Sequence, residues 1–195
     1  MCLVIAVLHA EHAEAQFAAG LEWVAYRYES AASGAGTSSA RLRPVLPPAS
    51  TLRLELGGRG AWRVGVAASA AAADLELRDG TATVTSDVGL LDFYEFQLEV
   101  ARRLVRLDGG GTLRGTVAPL LAIWDEADGA RTVLGAQLGV ELELPITKWT
   151  RLALRGTVAV HGQPLPPSLT EAGFEAESLL TRAGLGAGLR FMFGR

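Results

Sequence analysis

Residues 134–144 read Leu134-Gly135-Ala136-Gln137-Leu138-Gly139-Val140-Glu141-Leu142-Glu143-Leu144. Residues 151–160 read Arg151-Leu152-Ala153-Leu154-Arg155-Gly156-Thr157-Val158-Ala159-Val160. In the first stretch Leu134, Ala136, Leu138, Val140, Leu142 and Leu144 take every second place. In the second, Leu152, Leu154, Gly156, Val158 and Val160 do the same. Successive side chains of a strand point to opposite faces, so strict alternation is a strand signal; a helix needs apolar residues three or four apart. Only Pro145-Ile146-Thr147-Lys148 and the next two residues separate the arms. A link that short makes them antiparallel neighbours. The hairpin has one apolar face and one face with Glu on the first arm and Arg on the second. Each apolar row is about the 9–11 residues that a tilted strand needs to cross a bilayer.

Outward from this hairpin the pattern repeats. Phe17, Ala19, Leu21, Trp23 and Ala25 alternate with Gly20 and Glu22, though the alternation blurs at Val24 and Tyr26. Leu52, Leu54 and Leu56 alternate with Arg53 and Glu55; after Gly57-Gly58-Arg59-Gly60, Trp62, Val64 and Val66 alternate with Arg63, Gly65 and Ala67. The apolar parity then shifts by one before Leu75 and Leu77, which predicts a bulge or an exit from the membrane. Tyr94, Phe96, Leu98 and Val100 alternate with Glu95, Gln97, Glu99 and Ala101. A turn at Leu107-Asp108-Gly109-Gly110-Gly111 leads to Leu113, Gly115, Val117, Pro119, Leu121 and Ile123, which alternate with Arg114, Thr116, Ala118, Leu120 and Ala122. Pro119 counts against a strand there, because proline cannot donate to a ladder. Leu185, Ala187, Leu189, Phe191 and Phe193 close the chain, opposite Gly184, Gly186, Gly188 and Arg190.

The rows predict an all-β fold, an eight-stranded antiparallel up-and-down transmembrane β-barrel over residues 16–195. Short turns alternate with longer polar loops. Residues 29–50, with Pro44 and Pro47-Pro48, are expected as a loop with no central strand, and residues 78–89 as a polar loop. The link at 125–129 is shorter than its place in this pattern suggests.

The 195 residues suit one domain, with a net charge of −3 and no basic cluster, so no nucleic-acid partner is expected. Cys2 is the only cysteine, which excludes an intramolecular disulfide and a cysteine metal site. Residues 1–15 read as a signal peptide, with the apolar Cys2–Leu8 and then Ala13-Glu14-Ala15 as a small-x-small cleavage pattern.

A soluble barrel turns its apolar rows inward, and a membrane barrel turns them outward. Three features favour the second. The opposite rows mix small residues with both charges, predicting a lumen lined by Glu22, Arg53, Glu55, Arg63, Glu95, Glu99, Arg114, Glu141, Glu143, Arg151, Arg155 and Arg190. Aromatics fall near strand ends and predict two headgroup girdles. Phe17, Trp62, Trp149, Phe191 and Phe193 lie at the turn side; Tyr26, Tyr28, Phe93, Tyr94 and Trp124 lie at the loop side. The apolar rows also continue from strand to strand, a band that would aggregate in water.

The chain resembles the small outer-membrane β-barrel proteins, the group of the OmpA transmembrane domain and OmpX-like proteins. The carriers are the export-like start, the alternating strands and the closing Gly188-Leu189-Arg190-Phe191-Met192-Phe193. The resemblance implies a monomer in the bacterial outer membrane, with membrane lipid around it. It also implies recognition of the last strand by the outer-membrane assembly machinery, although the chain ends Gly194-Arg195 and not on an aromatic. The favoured function is non-enzymatic, a structural or surface-interaction role with a plugged, Glu/Arg-lined interior. A narrow channel, a lipid A-modifying enzyme and a soluble exported barrel with an apolar ligand are the alternatives. The enzyme would need a His near a Ser or Asp, and His161, with Ser168 and Glu171 nearby in sequence, is the one candidate after residue 15. A lone His at a strand end is more often a surface or lumen residue. No residue is assigned as catalytic, cofactor-binding or metal-ligating, and no cofactor is expected.

Overall fold

The computed structural model describes residues 16–35, 39–57, 61–85, 91–126, 129–163 and 173–194. The export segment expected over residues 1–15 lies outside them. The strands are β1 (Gln16–Tyr28), β2 (Ala32–Gly34), β3 (Arg41–Val45), β4 (Ala49–Gly57), β5 (Trp62–Asp79) and β6 (Ala82–Thr85). They continue with β7 (Leu91–Arg106), β8 (Thr112–Glu126), β9 (Gly129–Pro145), β10 (Thr150–Gly162), β11 (Phe174–Ala176) and β12 (Leu179–Phe193).

Eight of these form the barrel. β1, β4, β5, β7, β8, β9, β10 and β12 each pair antiparallel with the next. β12 then pairs with β1 from Phe17↔Phe193 to Tyr28↔Arg182. Closure leaves the spanning strands no free edge, the condition for backbone in lipid. In the hairpin of β9 and β10, Leu154 faces Leu142 and Arg155 faces Glu141, so apolar meets apolar and charge meets opposite charge. Its turn is held by Thr147, whose Oγ1 accepts from the amides of Trp149 (3.1 Å) and Thr150 (3.0 Å). Between β7 and β8, Gly109 and Gly110 have φ of 82° and 86°, so the glycine run supplies left-handed backbone to a tight turn.

The apolar rows face outward. Leu185 is 73% exposed and Leu134 72%, while Glu95 and Glu143 are wholly buried. No helix among the described residues is long and apolar enough to cross a membrane; the strands do so.

Several features differ from the sequence expectation. Residues 29–50 contain β2 and β3, and β3 lies between β2 and β5. Pro44 fits there because β2 pairs only with Arg41 and Leu42 and ends before reaching it. Residues 78–89 contain β6, which folds back on the end of β5 across Gly80. β11 adds to β2, so β11, β2, β3, the end of β5 and β6 extend the sheet beyond the loop-side rim.

The parity shift before Leu75 is not a bulge; it falls where β5 leaves the barrel ladder and pairs with β3 instead. The pairings of β5 with β4, β7 and β3 run without a slip, so Leu75 and Leu77 continue the inward face of Ala67, Ser69 and Ala73. The register shift lies instead between Arg103 and Val105 in β7. Pro119 is within β8 and pairs with Ala136 of β9, but the ladder to β7 passes from Leu120 to Val117 without it. The missing donor is thus absorbed on one side of the strand.

Candidate functional site

The lumen is where the charged residues meet. Small residues on the inward faces let long ones reach across. A Cβ on Gly188 would come within 2.3 Å of the Leu21 carbonyl and 2.6 Å of the Glu22 Cα. Gly188 of β12 therefore leaves the space that Glu22 fills, while Gly186 faces Val24 and Gly184 faces Tyr26 and Thr157.

Arg190 from β12 is the hub. It reaches Glu141 through Nη1 at 2.5 Å and Nη2 at 2.9 Å, and Glu22 and Glu55 through Nη2 at 3.2 Å each. It also pairs with Glu143. Arg155 pairs with Glu99 and Glu141, and its Nε lies 3.6 Å from Glu22. Arg53 joins Glu99 at 2.9 Å and Glu22 at 3.3 Å. Arg63 joins Glu143 and, at 3.4 Å, Glu55. Arg114 approaches Glu143 at 3.5 Å. Arg151 stands nearer the turn-side mouth, 28% exposed, 4.0 Å from Glu143, and donates to the Gly110 carbonyl. Glu95, the remaining predicted lumen residue, pairs with Arg182.

Carboxylate oxygens of Glu55, Glu99 and Glu141 come within 4.8 Å of one another, a spacing a cation could use. The guanidinium groups of Arg53, Arg63, Arg155 and Arg190 already supply positive charge there. Such a set is stable only because every carboxylate has arginine partners; removing one partner leaves a buried unpaired charge.

Toward the loop side the lining changes from charged to aromatic, and here the sequence expectation needs correction. Tyr28 and Trp124 are 2% and 1% exposed, and Phe93 is fully buried. They pack with Ala122, Ala159 and Leu180 in one cluster, and Tyr26 packs against it. None of the four is a girdle residue. Tyr26 and Tyr28 share parity with Glu22, Phe93 with Glu95, and Trp124 with Ala122, so alternation turns them inward. Arg182 lies over the Tyr26 ring at 4.3 Å and donates to the Tyr28 hydroxyl at 3.1 Å. The remaining girdle candidates, Phe17, Trp62, Tyr94, Trp149, Phe191 and Phe193, are exposed on the outer wall. Trp62 and Trp149 are each capped by a cation, Arg102 at 5.2 Å and Lys148 at 5.3 Å.

Sequence reasoning missed Arg182, Gln97 and Gln137. Arg182 has the parity of Arg190 on the same strand, a signal that was available. Gln97 donates to Glu95 at 2.6 Å and exchanges amide bonds with Gln137. His161 is buried in the lumen, its Nδ1 2.8 Å from the Gly162 carbonyl and its ring near those of Tyr28 and Trp124. Ser168 and Glu171 lie outside the described residues.

A charged interior within an apolar exterior, on a closed ring of eight antiparallel strands, decides the architecture. The fold is that of the small outer-membrane β-barrels. Solved structures of that class align along almost the whole chain. The outer-membrane protein AlkL in lipid bilayers is 10% identical, with 95% of this chain and 93% of that one covered and a TM-score of 0.56. The attachment invasion locus protein Ail of Yersinia pestis is 10% identical, with 94% and 100% covered and a TM-score of 0.50. Neisserial surface protein A is 13% identical, with 92% and 97% covered and a TM-score of 0.49. No protein-family model matches the sequence, and no curated protein does. At these identities the likeness is one of fold. In an outer-membrane barrel the short turns are periplasmic and the long loops extracellular; by that rule the turns after β7 and β9 would be periplasmic and the β2–β3–β6–β11 extension extracellular.

Proposed function

We propose that this barrel is a non-enzymatic outer-membrane protein whose interior is plugged by its own side chains and whose loop-side extension makes surface contacts. The observation that carries the reading is Arg190, which is held by carboxylates of β1, β4 and β9 at once. An eight-stranded barrel leaves an interior just wide enough for side chains to fill. The aromatic cluster of Tyr28, Phe93 and Trp124 adds a second layer above the charges. His161 supports the non-enzymatic part: it contacts rings and a backbone carbonyl, and no hydroxyl or thiol is hydrogen-bonded to it among the described residues. The aromatic-ended β12, exposed at Phe191 and Phe193, would serve as the strand read during assembly.

Planar-bilayer recording tests the plug. The purified barrel should insert without steady conductance, and steady single-channel currents from the unmodified protein would overturn the reading in favour of a narrow channel. For the enzymatic alternative, lipid A from cells producing the protein should have the same acyl composition as lipid A from cells producing His161→Ala.

A further inference from the structure

Two cavities adjoin on the outer wall where β1, β12 and β10 run side by side. The lower one, about 810 Å³, faces lipid. Its outward positions fall in two successive rows across the strands. One is Ala25–Leu185–Gly156–Val140, and the next is Arg27–Ala183–Val158–Leu138. Ala25, Ala183 and Gly156 form a low path that bends around the exposed Leu185. A Cβ on Gly156 would first meet Val140 at 3.8 Å and Leu185 at 3.9 Å, so the furrow has room for carbon that the chain does not supply.

The upper cavity, about 820 Å³, shares Arg27, Val158 and Ala183 with the lower one and opens at the loop side. It is lined by Arg27 of β1, Arg41 and Arg43 of β3, and Arg78 of β5. Arg43 is committed to Glu76 at 2.7 Å. Arg41 and Arg78 are direct cross-strand partners, and neither they nor Arg27 has an ion pair among the described residues. Like charges placed opposite one another on adjacent strands destabilise the pair. Glu29 and Glu177 also line the cavity, but neither is paired with these arginines.

An arginine pocket above an apolar furrow, at the outer-leaflet end of a membrane wall, has the chemistry of an acidic lipid's headgroup and tail. We propose that the joined cavities bind one phosphorylated acyl lipid of the outer leaflet. Its phosphate lies among Arg27, Arg41 and Arg78, and an acyl chain lies over Ala25, Ala183 and Gly156. Guanidinium groups suit phosphate because their planar fork donates two parallel hydrogen bonds. The phosphate supplies the counter-charge that the Arg41–Arg78 pair lacks, and the chain supplies the carbon missing above Gly156.

Native mass spectrometry of the full protein, folded in detergent, tests this with diphosphorylated lipid A, the same lipid without phosphates, and inorganic phosphate. The expected result is one bound diphosphorylated lipid. Its affinity should fall about tenfold or more in the double variant Arg41→Gln, Arg78→Gln, which removes two charge-assisted contacts. It should fall comparably in Gly156→Leu, which fills the furrow, with Ala183→Leu as the second filling variant should the first not fold. Equal binding of the dephosphorylated lipid would overturn the phosphate assignment. Displacement by inorganic phosphate at the affinity of the lipid itself would overturn the acyl furrow. Unchanged lipid binding in the folded arginine or filling variants would overturn the site.

Discussion

Arg190 and Glu141 meet across the lumen through two contacts of 2.5 and 2.9 Å, joining the closing strand β12 to β9, which is not its neighbour in the wall. The wall is built by backbone ladders between adjacent strands. This pair instead ties strands separated by β10, and it ties them in a space with little water to compensate for its loss.

Arg190→Ala should therefore destabilise the barrel strongly, by about 3–5 kcal/mol, because it leaves Glu141 and Glu143 short of a buried partner. The temperature at which the folded, fast-migrating band disappears on a semi-native gel measures this. A transition within a degree or two of the unmodified protein would contradict the central role of Arg190. Replacing Arg190 and Glu141 together with Met and Gln should cost less than the sum of the two single changes, since neither partner is then left alone.

The outward direction of the apolar rows makes a separate prediction. Leu185→Arg puts a charge on the lipid face and should destabilise by about 2–4 kcal/mol if it lies near the bilayer midplane. Ile146→Arg, in the turn between β9 and β10, should cost no more than about 1 kcal/mol, because charge near the interface is tolerated. Urea unfolding in lipid vesicles compares the two. Equal effects would mean that the exposed rows are not in hydrocarbon.

Close approach at Gly188 predicts a third result. Gly188→Ala drives a Cβ to 2.3 Å from the Leu21 carbonyl, backbone that cannot move without opening the β1–β12 closure. The variant should give little folded barrel in refolding trials. Gly156→Ala, whose Cβ meets only aliphatic side chains at ordinary contact, should refold normally.

The inward turn of Trp124 can be tested by fluorescence. In a protein carrying Trp23→Phe, Trp62→Phe and Trp149→Phe, the remaining indole is Trp124, buried at 1% exposure. Brominated lipids should leave its emission nearly unchanged. When Trp149 is the one retained, the same lipids should quench it, since that ring is on the outer wall. Quenching of Trp124 would restore it to the girdle.

Alternation alone determined most of this protein. Because a strand turns each successive side chain to the opposite face, the rows at 134–144 and 151–160 already separated Leu138 and Val158 from Glu141 and Arg155. The same period, followed strictly, also contained the inward turn of Tyr26, Tyr28 and Trp124. Weighing their position near strand ends above their parity is what misassigned them. Only tertiary structure decided the rest. Which of seven arginines meets which glutamate depends on distances across the lumen, between strands far apart in sequence. Pro44 is accommodated in β3 because β2 stops short of it, and Leu75 turns inward because β5 keeps its register past the barrel rim into the extension. A periodic pattern fixes the face on which a side chain lies. It carries no information about what stands opposite, because that is set by closure of the barrel.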